Sequence, residues 1–265
     1  VYRQPLREMP LEPKVRGLLF DIDDTFTTDG RITPTAFSAL ADWANSGRIA
    51  VAVTGRSAGW CDHIARMWPV NAVVGENGAF WFAFDQKARH MQRWFVRSQA
   101  EREASSRAFS TLSHAILEAV PQARVASDQA YRVSDLAIDF AEDCGPLPLQ
   151  DAQRIAAIMI QAGMTAKVSS IHVNGWFGNF DKLTTTRLLA QDLFGITEDQ
   201  IRDEFVYIGD SPNDSPMFSY FSRSVGVANV ARYEGLIDHW PKFVCSGESG
   251  AGFAELVSHM LARGA

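Results

Sequence analysis

The sequence predicts an α/β fold: a doubly wound, mostly parallel sheet interrupted by an inserted α+β domain. Three observations predict it. Apolar runs at residues 15–20, 48–53 and 71–74 alternate with helical segments, which implies parallel β-α-β units with right-handed crossovers. Beyond Gly78 the rhythm changes to paired strands and long helices. From Lys182 the α/β rhythm resumes.

Residues 15–20 are short, apolar and end abruptly in acids, as a strand buried on both faces would. A helix follows, with Thr33 placed to cap it, Pro34 at its first position and Gly47 just past its end. Phe37, Leu40, Ala41 and Ala44 fall on one face of it. The run 48–53 ends at Thr54-Gly55-Arg56 and leads into a helix over 57–67. The run 71–74 ends at Gly75-Glu76-Asn77-Gly78. Residues 79–84 and 91–96 then read as two strands joined by a turn, followed by a helix over 99–120, a strand over 131–140, a helix over 149–162 and a strand over 165–173. These elements form the expected insert, residues 79–178, which divides the α/β core into residues 1–78 and 179–265. In the second part a helix over 182–194 is closed by Gly195, a strand over 204–208 ends at Gly209-Asp210, and a strand near 224–227 precedes short helices.

The bulk properties narrow the function. A chain of 265 residues that is 46% hydrophobic buries a sizeable core. A net charge of −6 argues against a non-specific nucleic-acid binder. The three cysteines, Cys61, Cys144 and Cys245, are far apart with no CxxC pair, so neither a zinc site nor a disulfide framework is expected. No apolar run approaches the roughly 20 residues that span a bilayer, and the polar stretch over residues 1–17 lacks a signal-peptide core. A cytoplasmic enzyme with no nucleic-acid or membrane partner is the expectation; oligomeric state is open.

Every polar cluster in the α/β part lies just after an apolar strand, where open parallel sheets bind ligands. Asp21 and Asp23 are two apart and share a face if strand geometry persists. Asp210 and Asp214 come from a second strand end. Crowded carboxylates repel unless a cation neutralises them, and an all-oxygen cluster suits Mg²⁺. A calcium loop starting at Asp21 needs Gly at its sixth position and Glu at its twelfth; these are Phe26 and Ile32, so that reading fails. Lys182 opens a helix, where the macrodipole disfavours a cation unless an anion is near. Thr54 and Gly55 lie between a strand and a helix N-terminus, a ready phosphate cradle. Carboxylates with a metal, a lysine and an anion pocket point to phosphoryl transfer.

The residues carry a resemblance. DIDDT (21–25), Thr54, Lys182 and GDSPND (209–214) resemble, in order, the four motifs of the haloacid dehalogenase (HAD) superfamily. The insert resembles, in position and size, the C2-type cap of the branch containing Cof-like sugar-phosphate phosphatases, sucrose phosphatase and trehalose-phosphate phosphatase. ENGA (76–79) resembles that branch's signature at the cap entry. The resemblance implies a HAD-like Rossmannoid core and a Mg²⁺-dependent phosphatase working through an aspartyl-phosphate. By position it makes Asp21 the nucleophile and a Mg²⁺ ligand, and Asp23 the general acid/base and a ligand through its carbonyl. Thr54 and Lys182 would bind the phosphoryl group. Asp210 would bind Mg²⁺, Asp214 would support the metal site and Lys182, and Asn213 would place phosphate or metal-bound water. Two positions depart from the pattern: Asp24, where many relatives have Gly, and Phe180-Asp181, where a Gly-containing approach is common.

Several readings stay open at this stage. Arg56 is either a substrate contact or a salt-bridge residue, and Asn77 either a substrate contact or part of a turn. Trp81, Trp94, Phe95 and Trp176 belong to a core or line a pocket. His172, Asn174 and Trp176 alternate in a way that reaches toward an interdomain cleft. The expected reaction is hydrolysis of a small phosphomonoester, a sugar phosphate or related metabolite. The alternatives are a phosphotransferase resembling phosphomannomutase and a non-catalytic phospho-ligand-binding protein.

Overall fold

The computed structural model describes residues 3–11 and 15–262. The lead-in expected over residues 1–17 lies partly outside them. Its described part is more than a tail: β1 (Gln4–Pro5) is an edge strand, and Leu6 and Met9 are buried in the core.

The first α/β block follows the sequence closely. β2 (Gly17–Phe20) leads to a small hairpin, β3 (Thr27–Thr28) with β4 (Arg31–Ile32), and then to α1 (Pro34–Asn45). The Thr33 hydroxyl accepts the Ala36 N–H at 3.2 Å, and Gly47 has φ +75° just past the helix end. Both ends of α1 are therefore closed as the sequence implies. β5 (Ile49–Val53), α2 (Ala58–Met67) and β6 (Ala72–Gly75) complete the block.

The next two strands correct the expected partition. β7 (Phe80–Asp85) and β8 (His90–Phe95) do not join the insert; they pair antiparallel onto β6, with Val73 opposite Phe82 and Phe82 opposite Arg93. The turn Glu76–Gly78 is tight enough to fold β7 straight back beside β6. Trp81 and Trp94 accordingly pack on one face of the large sheet and Phe95 on the other.

The separately cored part of the insert starts at α3 (Gln99–Ala119). It continues through β9 (Arg124–Val125), β10 (Asp135–Asp139), α4 (Leu149–Gln161), β11 (Thr165–Val168) and β12 (His172–Trp176). The strands form an antiparallel sheet in the order β11-β12-β10-β9. Phe109, Ile116, Leu136, Ile138, Ile155, Met159 and Val173 make its core. The single strand expected over 165–173 is a hairpin, because the Ser169 hydroxyl accepts from His172 N and donates to His172 O, closing a turn. The strand expected from 131 begins only at Asp135, after a 3-10 turn at Gln129–Tyr131.

The chain returns through α5 (Lys182–Phe194), ended by Gly195 at φ +62°. An additional helix, α6 (Glu198–Glu204), carries a capping box between Thr197 and Gln200 that is visible in the sequence. β13 (Phe205–Gly209), α7 (Ser215–Tyr220), β14 (Arg223–Gly226), β15 (Phe243–Val244) and α8 (Ser249–Leu261) follow; α8 is longer than the short helices expected there.

The large sheet runs β1-β15-β14-β13-β2-β5-β6-β7-β8, parallel through β6. α1, α2 and α8 cover the face that carries Leu18 and Phe20; α5, α6 and α7 cover the face that carries Leu19. This is the doubly wound arrangement. Its register decides where chemistry can occur. Phe20 pairs with Ile208 and with Ala52, so β2, β13 and β5 end side by side.

Candidate active site

At those three strand ends stand Asp21, Asp210 and Thr54, each fully within the protein. Lys182 reaches them from the first turn of α5. Its Nζ donates to Asp21 Oδ1 at 2.8 Å and to Asp214 Oδ1 at 2.7 Å, with the residue 1% exposed. A cation at a helix start is thus offset by two carboxylates. Burial alone would lower the lysine's pKa, but Asp21 and Asp214 outweigh it and hold the ammonium charged.

The acids remain under-compensated. Burial pushes Asp21 up to about 7 against the pull of Lys182, with Asp214 and Asp23 adding to the rise. Burial also pushes Asp210 well up, with Asp21 and Asp214 reinforcing it. Carboxylate oxygens of Asp21, Asp210 and Asp214 lie within 4.8 Å of one another. A hard divalent cation is what such an all-oxygen, buried, electron-rich group accommodates. The three acids are not equivalent. Both oxygens of Asp214 are engaged: Oδ1 by Lys182 and the Tyr207 hydroxyl at 2.5 Å, Oδ2 by the N–H groups of Asp210 and Ser211 at 3.0 and 3.1 Å. Asp210 is held more lightly, by Thr25 Oγ1 at 3.3 Å and Asn229 Nδ2 at 3.4 Å. Asp21 and Asp210 therefore have more free lone pairs than Asp214, which fixes Lys182 and the turn after β13.

The end of β5 offers a candidate anion pocket. Thr54 Oγ1 accepts the Arg56 N–H at 3.0 Å, leaving its own proton free. A Cβ at Gly55 would stand 3.1 Å from Asn77 Nδ2, so the glycine keeps open the space that amide faces. Asn77 Oδ1 accepts from Asn213 Nδ2 at 3.2 Å, while Asn77 Nδ2 is buried without a partner. A buried donor with no protein acceptor suits an anion. Asp24 has φ +53°, the left-handed region, which explains why glycine suits that position.

Asp23 stands apart from the cluster of Asp21, Asp210 and Asp214. Arg56 Nε contacts both of its oxygens at 3.0 Å and Nη2 contacts Oδ1 at 2.6 Å. Arg56 Nη2 is also 2.7 Å from Glu142 Oε1, and Glu142 Oε2 is 2.9 Å from His172 Nε2. His172 and Arg56 outweigh the effect of burial and draw Glu142 down to about 2. Glu142 comes from the insert, in a turn whose N–H groups at Ala141, Glu142 and Asp143 are all accepted by Asp139. Of the residues alternating on β12, His172 faces Glu142 and Asn174 donates to Asp135 at 2.8 Å, whereas Trp176 packs in the main core with its Nε1 on Phe180 O.

A second junction lies beneath the first. Glu76 is buried and accepts N–H groups from Ala58 in the core and from Val133 and Ser134 in the insert, at 2.6 to 3.2 Å. Arg132 is buried between Asp128 and Asp135 and donates to the Gly55 carbonyl at 2.9 Å. Sequence reasoning missed Glu142, Arg132 and the role of Glu76. Only ENGA offered a signal, and it pointed to Asn77. Gly78, at φ +105°, lies so close to the Asp181 carbonyl that any Cβ would clash, which docks this turn on the start of α5.

No protein-family profile and no curated protein matches the sequence. Solved structures do match. A putative HAD/COF-like hydrolase from Plasmodium vivax superposes with a TM-score of 0.68 at 18% identity, covering 95% of this chain and 98% of that one. The chain has the fold of the HAD-like hydrolases. Sucrose-phosphatase from Synechocystis, determined with sucrose and phosphate, matches at TM-score 0.60 and 17% identity over 98% of both chains. A HAD-superfamily phosphatase from Bacteroides thetaiotaomicron matches at TM-score 0.60 and 16% identity, over 96% of this chain and 98% of that one. In all three the HAD-like fold is shared with insert and core together, since nearly the whole length is covered.

Proposed function

We propose that this protein is a Mg²⁺-dependent phosphomonoester hydrolase that forms an aspartyl-phosphate on Asp21. The observation that carries the reading is the convergence of Asp21, Lys182 and Asp210 at adjoining strand ends, with an orphan donor on Asn77 beside them. Asp21 and Asp210, with the Asp23 carbonyl, would hold the cation, and Asp214 would stand behind them. When bound, Mg²⁺ would neutralise negative charge on the phosphoryl oxygens.

The chain's own groups account for the rest. The Thr54 hydroxyl, the Asn77 amide, Asn213 and Lys182 hold the phosphoryl oxygens. An Asp21 oxygen attacks phosphorus while the bond from phosphorus to the leaving alcohol's oxygen breaks, and Asp23 gives its proton to that departing alcohol oxygen. Asp23 then takes a proton from water, which attacks the acyl phosphate, releases inorganic phosphate and restores Asp21. Arg56 must give up its double contact for an Asp23 oxygen to reach the leaving group; Glu142 offers it another partner at 2.7 Å. A phosphorylated sugar or related metabolite is the proposed substrate, by analogy with structural neighbours named as sugar or sucrose phosphatases.

The test is phosphate release from a panel of sugar phosphates with and without Mg²⁺, for wild type and Asp21→Asn. Mg²⁺-dependent release that drops by about 10³-fold or more in the variant is expected. A positional isomer of the substrate in place of free phosphate would replace the hydrolase with a phosphotransferase.

A further inference from the structure

A cavity of about 370 Å³ opens beside Asp23, between the β3–β4 hairpin and α2. Ile22 and Ile32 line one side, and Trp60, Ile64 and Trp68 the other. The charged residues in its wall are the paired Asp23 and Arg56, and Arg31 on the hairpin. Every lining residue belongs to the α/β core, and Arg56 alone among them also meets Glu142 of the insert.

Its walls are unusual for a solvated surface. Trp60 is 47% exposed and Ile32 39%, both large apolar side chains facing the same cavity. The Arg56 guanidinium lies 5.4 Å from the Trp60 ring centroid, which ties this indole to the group that holds Asp23. Trp68 is steadied from behind by Phe26, with centroids 5.1 Å apart. Apolar walls of this size, closed at one end by a few polar groups, are the usual make-up of a small-molecule site.

We infer that this cavity is the subsite for an apolar ring carried by the leaving alcohol. The inference rests on the phosphatase reading above. In that reading Asp23 hands its proton to the leaving oxygen, so a group filling the space that Asp23 lines is attached to that oxygen. Trp60 supplies a flat face for stacking, Ile22, Ile32 and Ile64 supply apolar edges, and Arg56 marks the end nearest phosphorus. A bare polyol would leave these walls in contact with water. A phosphorylated sugar or alcohol that bears an apolar ring covers them, and the occupancy gain falls on binding of the leaving group rather than on the phosphoryl step.

The experiment compares 2-phenylethyl phosphate with ethyl phosphate in the presence of Mg²⁺, two esters whose leaving alcohols have similar acidity. Wild type is expected to prefer the phenyl ester by about tenfold or more in kcat/KM, chiefly through KM, a size set by one aromatic contact with its burial. Trp60→Ala brings the ratio of the two esters close to one, and Trp60→Phe restores most of it. Asp21-dependent turnover of both esters at equal efficiency, or a ratio that Trp60→Ala leaves intact, overturns the inference and spares the phosphatase reading. Binding of the two matching phosphonates, followed by calorimetry, separates the other failure. Ring-dependent binding that Trp60→Ala removes, with no turnover of either ester or of any member of the sugar-phosphate panel, keeps an apolar-ring site but overturns the phosphatase reading and, with it, the leaving-alcohol role. No ring preference in binding overturns the subsite.

Discussion

Lys182 shows how much of the site hangs on one side chain. Its ammonium is the single protein cation in contact with Asp21 and Asp214 among the described residues. Lys182→Met removes it and leaves two buried carboxylates facing each other. Breaking a buried pair in this way costs about 3–5 kcal/mol. Urea unfolding in metal-free buffer should show that loss, and added Mg²⁺ should recover part of it; an unchanged midpoint would mean that the acids are neutralised by some other route. The residue scale is also where the sequence was most legible. Lysine at a helix start, acids after a strand and glycine after threonine are each locally unfavourable or unusual, and local oddity survives in a linear string. Arg56 shows the limit. Its two readings were equal in the sequence because its partner, Glu142, lies 86 positions away in the chain.

The elements that join core and insert carry a pH-dependent stability. Glu76 is buried among N–H groups from both parts, and burial, with Asp135 adding and Arg132 opposing, raises its pKa from 4.5 to about 8. A carboxyl whose pKa is higher folded than unfolded binds its proton more tightly in the native state. Its contribution is therefore greatest below pH 4.5 and is lost as the pH rises toward about 8. The urea midpoint of wild type should fall across that window, and Glu76→Gln should flatten the slope while lowering stability at its acid end. A slope identical in both proteins would assign the pH dependence to other groups. At this scale the sequence was partly legible. α1 was readable at both ends and α5 at its C-terminal end because Thr33, Pro34, Gly47 and Gly195 act on the backbone next to them, whereas the α5 cap, Asp181, was not read as one. β7 and β8 were recognisable as strands but were assigned to the wrong sheet, since pairing is a long-range choice that strand composition does not encode.

For the whole molecule, the insert is held over the candidate site by two layers of unlike strength. The lower layer, Glu76 with Arg132 and its acids, is fully buried. The upper layer, Arg56 with Glu142, is partly solvated and sits directly on Asp23. The upper contact is the one that the proposed substrate would displace at least expense, and the connection between the parts is braced by Arg97, which donates to Phe177 O at 3.1 Å. Glu142→Gln should leave global stability within about 1 kcal/mol and raise hydrogen exchange in the turn at residues 140–143. It should also lower kcat more than it changes KM, because Arg56 then has Asp23 as its sole acidic partner and gives it up less readily for the proton transfer. A change confined to KM would instead place Glu142 in substrate binding alone.

By itself the sequence determined the alternation of strands and helices, the strand ends where polar groups cluster, and the residues Asp21, Thr54, Lys182 and Asp210 that gather there. These follow from local patterns: apolar runs, caps, and polar groups where a strand stops. The tertiary structure alone decided that β7 and β8 extend the large sheet, that Asp214 is saturated while Asp210 is not, and that Asp23 is bridged through Arg56 to Glu142 in the insert. The reason is the same in each case. Hydrogen-bond saturation, burial and ion pairing depend on which distant segments meet, and that depends on packing the whole chain rather than on any neighbourhood within it.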